Sequence, residues 1–179
     1  MNGLINRSIQ CFVRDTYGVD RWRHVAHGLG LGPSGYESIL AYEDAETDRL
    51  IDFVCADLGR DQQTLLEDLG TYLGSHETTG GIRRLLRFSG ETFSDLLHAL
   101  YDLPSRAQLA FPDLVLPELE VREDPPGQFR IFVLTDRLGW GDVLLGLLRA
   151  MADDYGALVV MEHAAGSGPI SVIEVKLLD

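Results

Sequence analysis

The stretch Gly90–Pro117, GETFSDLLHALYDLPSRAQLAFPDLVLP, decides how the rest of the chain is read. Phe93, Leu96, Leu97 and Leu100 follow the i, i+3, i+4, i+7 spacing of one buried helix face, and position 104 continues it at i+11. At 100° per residue, position 104 returns to about 20° from Phe93, so the spacing predicts a side chain pointing into the core. That residue is Pro104. Proline carries no side-chain donor, acceptor or metal lone pair, and it lacks the backbone N–H that a helix interior uses. A bend or restart of the helix is therefore expected at Pro104, and the core face offers no ligand there.

On the C-terminal side of this stretch the hydrophobic period changes from 3.6 to 2. ELEVRE (118–123) and QFRIFVLTD (128–136) read as strands, joined by the turn signal Asp124-Pro125-Pro126-Gly127. GWGDVLLGLLRAMADDYG (139–156) reads as an amphipathic helix with Val143, Leu144, Leu147, Leu148 and Met151 inward. ALVVMEHA and PISVIEVKLL read as two closing strands. On the N-terminal side, helices are predicted over 3–17, 19–29, 44–58 and from Asp61 through His76, followed by a short one over IRRLLRF (82–88). The expected fold is α+β: a helical N-terminal two-thirds on a mostly antiparallel four-stranded sheet, ordered β-β-α-β-β. It is expected to form one domain over 1–179, with a helical part to residue 60 and helices plus sheet from 61.

Several functions are disfavoured by composition. The formal charge of −13 repels phosphate backbones and anionic lipid, so neither nucleic acid nor a membrane surface is an expected partner. No apolar run approaches the length of a membrane span, and the opening MNGLINRSIQ reads as an amphipathic helix rather than a signal peptide, so a cytoplasmic location is expected. Cys11 and Cys55 lie in helical patterns outside any CxxC or Cys/His cluster and read as buried thiols. GLGLGP (28–33) follows a helix and lacks a Lys-Ser/Thr, so it reads as a turn rather than a phosphate loop. His24 and His27 read as an exposed helix face, and His76 with Glu77 as an exposed helix end. No GxSxG, HExxH or Walker lysine is present, and no enzyme activity or metal centre is expected. The stretch Val133-x-Thr135-x-Arg137 stands apart: a strand ending in T-x-R before a helix presents a hydroxyl and a guanidinium together, a fork suited to carboxylate or phosphate.

Across nearly its whole length the chain resembles the haem-nitric oxide/oxygen binding (H-NOX) family, the sensor module that also occurs in soluble guanylate cyclase. The resemblance is carried by M-x-G-L-I-N at the start, Tyr17-Gly18 followed by Trp22, Gly81-Ile82-x-x-Leu85-Leu86-Arg87 with Gly90, and Phe111-Pro112-x-x-x-x-Pro117. The RLGWGDVLLGL run completes it, with Gly139, Asp142 and Gly146 in register. It implies a haem pocket lined by Ile5, Leu73 and Val143 with Pro117 against the macrocycle. The family's Y-x-S-x-R propionate motif falls on Val133, Thr135 and Arg137. Counted from Gly90 and back from Pro112, the family's haem-ligating histidine falls on Pro104, so the ordinary iron bond is not expected. His98, about 120° round the helix, points away from that face. The resemblance thus implies a non-enzymatic sensor that holds haem or a related apolar ligand through burial and propionate contacts, with a diatomic gas as ligand only where haem is bound. With no room in 179 residues for a fused output domain, it would signal, like a standalone bacterial-type sensor, to a separate kinase or cyclase. The other reading of the same residues is a haem-free protein-interaction module whose pocket has degenerated.

Overall fold

A computed structural model describes residues 2–76, 84, 86–87, 90–135, 137, 139–164 and 170–178. It is an α+β structure with two compact units, Met1–Leu65 and Leu66–Asp179. The short helix expected over 82–88 and the motif positions Gly81, Ile82 and Leu85 lie outside the described residues, apart from Arg84, Leu86 and Arg87.

In the first unit, α1 (Gly3–Tyr17) starts where the Asn2 side chain accepts a hydrogen bond from the Leu4 N–H, and it stops at Gly18, whose φ of 95° a residue with a Cβ adopts only under strain. α2 (Val19–Gly28) and α3 (Asp44–Leu58) follow. Ile9, Phe12, Val13, Trp22, Val25, Leu50 and Val54 are buried, while Ile5 is half-buried. Three polar side chains are buried with them. Gln10 accepts the Tyr36 N–H (2.9 Å), and Asn6 Oδ1 accepts the Thr47 hydroxyl (2.7 Å), while the buried Asn6 amide nitrogen has no hydrogen-bond partner.

α4 (Gln62–Ser75) begins at the end of the first unit, capped by Asp61, which accepts the Thr64 N–H at 2.8 Å. The second unit then adds α5 (Phe93–Ala99), a 3₁₀ turn (Leu100–Asp102), α6 (Leu103–Ala110), β1 (Glu118–Glu123), β2 (Gln128–Leu134), α7 (Trp140–Tyr155), β3 (Val159–His163) and β4 (Ile170–Leu177). The sheet is wholly antiparallel, in the order β1-β2-β4-β3. Its strands alternate as the period of 2 requires: Phe129, Ile131 and Val133 of β2 and Ile173 and Val175 of β4 face one buried side. Onto that side pack Leu144, Leu145, Leu148 and Met151 of α7 together with Leu96, Leu97 and Leu100. Val143, expected inward, is half-buried.

α4 and α7 cross backbone to backbone. A Cβ at Gly70 would overlap the Val143 carbonyl oxygen, and one at Gly146 would overlap the Glu67 carbonyl oxygen. The Thr71 hydroxyl reaches the Gly146 carbonyl across this crossing at 3.3 Å. The close approach sets which side chains of the two helices meet.

Candidate functional site

The helix of the opening stretch begins with a capping box: Thr92 Oγ1 accepts the Asp95 N–H (3.1 Å) and Asp95 Oδ2 accepts the Thr92 N–H (2.9 Å). These bonds, those from Thr92 foremost, hold the Asp95 carboxyl below the usual aspartate range. Phe93, Leu96, Leu97 and Leu100 are all buried, as the spacing requires. The α-helix ends at Ala99, passes through the 3₁₀ turn and restarts at Leu103 with Pro104 in its first turn. The restart was expected from the proline, which cannot donate to the Leu100 carbonyl and crowds it.

The inward placement of Pro104 is corrected by the same turn. Three residues rotating by 120° instead of 100° advance the chain by roughly 60°, which brings Leu103 to about 20° on the near side of Phe93 and carries Pro104 to about 80° beyond it. Leu103 is accordingly buried at 8% exposure and belongs to the core cluster, and Pro104 is half-buried. Sequence spacing missed Leu103 because it assumed one uniform helix through a proline.

The T-x-R fork is formed locally. Val133 is fully buried in the core, paired with Leu119 across β1 and with Ser171 across β4. Thr135 follows β2, and its hydroxyl accepts the Arg137 N–H at 3.1 Å, a small turn that fixes the start of the arginine side chain. Both residues are half-buried. Pro117 immediately precedes the residue paired with Leu134, and Thr135 immediately follows Leu134, so the two lie at the same end of the β1–β2 pair. The 3₁₀ turn and α6 also pack on β1, which brings the Pro104 segment to this strand. Leu73 packs on the edge of the core, and Val143 lies at the α4–α7 crossing. Ile5 belongs to the first unit.

No histidine of the helix is turned to the core. His98 forms an ion pair with Glu123 (3.0 Å) and meets the Phe129 ring edge-on (5.1 Å), with just over half of its side chain exposed. His76 stacks on Tyr72 at 4.6 Å, and His24 and His27 are exposed. A surface depression lined by Gln128, Arg130, Glu162, Glu174 and Lys176 lies on the solvent side of the sheet, and none of the expected pocket residues lines it.

This fold and this set of residues define the class. The model of the haem-NO-binding family (HNOB) matches residues 2–163, and the chain belongs to that family. Among solved structures, the chain resembles an H-NOX protein from S. oneidensis in its Fe(II)NO state (TM-score 0.82, 15% identity, 100% of each chain) and a mutant of the T. tengcongensis H-NOX (TM-score 0.82, 15% identity, 100% of this chain and 98% of that one). Soluble guanylate cyclase 89Da of Drosophila melanogaster is 20% identical over 167 residues, 93% of this chain. The chain spans about a quarter of the length of that relative and of its paralogue 89Db. Pro104, which the resemblance sets at the family's ligand position, offers no lone pair to a metal, and the 3₁₀ turn sets Leu103 on the core face of that helix. Thr135 and Arg137 carry a hydroxyl and a guanidinium on one turn. No helix among the described residues is long and apolar enough to cross a membrane.

Proposed function

We propose that the chain is a non-enzymatic regulatory domain of the H-NOX type that works without a histidine–iron bond, takes an apolar, carboxylate-bearing ligand of haem or related kind at the Thr135–Arg137 turn, and signals to a separate kinase- or cyclase-type partner in the cytoplasm. The observation that supports this reading is the combination of a locally ordered T-x-R turn with a buried Leu103 on the core face of the helix that carries Pro104. A guanidinium paired with a carboxylate contributes about 1.5–3 kcal/mol, enough to orient a ligand whose main affinity comes from burial. A diatomic gas enters this scheme only through bound haem.

Titration of the purified protein with hemin, followed in the Soret region before and after reduction, tests the proposal. Binding that weakens in Arg137→Ala and does not depend on any native histidine is expected. A ferrous CO or nitrosyl spectrum that changes when one native histidine is replaced would overturn it. The burial of Leu103 beside Leu100 favours a second reading, a haem-free module that acts through protein contacts alone; complete absence of hemin binding by a folded protein would select it.

A further inference from the structure

Outside the T-x-R turn, three potential metal ligands converge from three elements of the second unit. Glu67 comes from α4, Asp142 from the first turn of α7, and His163 is the last residue of β3; one ligand atom of each lies within 4.8 Å of the others, and all three residues are half-buried. His163 Nε2 is shielded from solvent and has no hydrogen-bond partner, although Asp142 Oδ1 stands 2.9 Å away. A ring nitrogen shielded from solvent beside a carboxylate, without a hydrogen bond, is unfavourable until a cation joins the two. The ring's other nitrogen, Nδ1, faces Ser171 Oγ at 3.4 Å, the kind of outer contact that fixes the tautomer and orientation of a ligating imidazole. Space for this arrangement is made by Gly141, where a Cβ would overlap the Ser171 hydroxyl and crowd the His163 ring. The α4–α7 glycine crossing likewise brings Glu67 to the start of α7. Arg149 pairs with Glu67 through Oε2, which holds the carboxylate at this point.

We propose that Glu67, Asp142 and His163 form a site for one divalent transition-metal cation of the Zn²⁺ class, with water completing the coordination. Two carboxylates supply anionic oxygens, one of them shared with Arg149, and one imidazole selects a first-row transition metal over Mg²⁺ or Ca²⁺. Ligand bonds of about 2.0–2.2 Å in a tetrahedral site set the donor atoms roughly 3.3 Å apart, so binding draws the widest pair inward and opens His163 and Asp142 slightly. The cation would tie α4, α7 and β3 together beneath the sheet's last two strands. The site does not depend on the ligand proposed at Arg137.

The test is calorimetric titration of the chelator-stripped chain with ZnCl₂, alongside thermal melts with and without Zn²⁺. One Zn²⁺ per chain, a micromolar or tighter Kd and a raised Tm are expected. His163→Gln and Asp142→Asn should each weaken binding by about 100-fold or more, Ser171→Ala, which keeps all three ligands, by about 10-fold. Cys11→Ser/Cys55→Ser should leave the Kd unchanged. Absence of Zn²⁺ binding by the wild type, or a Kd unmoved by both Asp142→Asn and Ser171→Ala, would overturn the proposal even if His163→Gln failed to fold.

Discussion

Replacing Pro104 by histidine is the sharpest perturbation of the position that the resemblance gives to the haem ligand. The substitution relieves the clash with the Leu100 carbonyl and restores a backbone N–H, so a continuous α-helix becomes available and would turn position 104 back towards the core. The gain is one backbone hydrogen bond, about 1 kcal/mol. The opposing term is Leu103, 8% exposed on the core face, which the same rewinding would rotate away by roughly 60°. Burial of a leucine side chain stabilises by about 1.5–3 kcal/mol, so the 3₁₀ turn is retained and the introduced imidazole stays off the core face. Pro104→His is therefore expected to fold within about 1 kcal/mol of wild type and to show no histidine-ligated Soret band on hemin addition. Leu103→Ala combined with Pro104→His removes the opposing term, and the band is expected in the double variant alone. Leu73 and Val143, which the resemblance places on the pocket wall, offer no hydroxyl to stabilise dioxygen, so a restored haem should take up nitric oxide and CO in preference. Hemin titration, reduction and exposure to each gas, with urea melts to establish folding, supply the readout. A band in the single variant equal to that in the double, or none in a folded double variant, would refute the rotation argument.

Arg137→Ala should weaken hemin or another carboxylate ligand at this turn by about 1.5–3 kcal/mol in equilibrium titration, and an unchanged affinity removes Arg137 from the site. Gly146→Ala forces a methyl into the Glu67 carbonyl and should destabilise the protein by about 2–4 kcal/mol in urea unfolding; a loss under about 0.5 kcal/mol would mean that α4 and α7 separate freely. Thr47→Val strands the buried Asn6 side chain and should cost about 1–3 kcal/mol by the same assay. Burial, the largest cause, pushes the Tyr36 hydroxyl up to about 12 from its ordinary 10, so the folded state holds that proton where the unfolded chain releases it. Its contribution is intact below pH 10 and is lost as pH rises towards 12, to a limit of about 2–3 kcal/mol; Tyr36→Phe should flatten this alkaline fall in stability.

The architecture was legible because its signals are local and agree with one another. The period of 2 in ELEVRE and QFRIFVL appears as β1 and β2, while Thr135 of the expected second strand falls outside it and instead receives the Arg137 N–H; Asp136 lies outside the described residues. Asp124-Pro125-Pro126-Gly127 joins the two strands as the turn chemistry requires, and the amphipathic run after Gly139 forms α7. Val143 was misjudged because a helical stripe reports which positions share a face, not what packs on it; α4 comes so close at Gly70 that backbone, rather than side chain, fills that place.

The site was legible only where it is local. Thr135 and Arg137 sit two residues apart, and a hydroxyl at that offset from an N–H forms a turn without outside help. Pro104 was read as the end of ordinary helix, but the compensating move of Leu103 was not, since a 100° rule applied across a proline hides the extra rotation of a 3₁₀ turn. Glu67 and His163 carried no signal, and Asp142 carried one only as part of the RLGWGDVLLGL run. They are far apart in the chain, on elements of different period, and no spacing motif joins them. Two glycines let α4 and α7 touch, a third admits Ser171 beneath α7, and the antiparallel pairing of β3 with β4 delivers His163 to the same point. Each glycine is unremarkable in the sequence; together they decide which polar side chains share a volume, and a cation site of this kind can be read only after the packing is known.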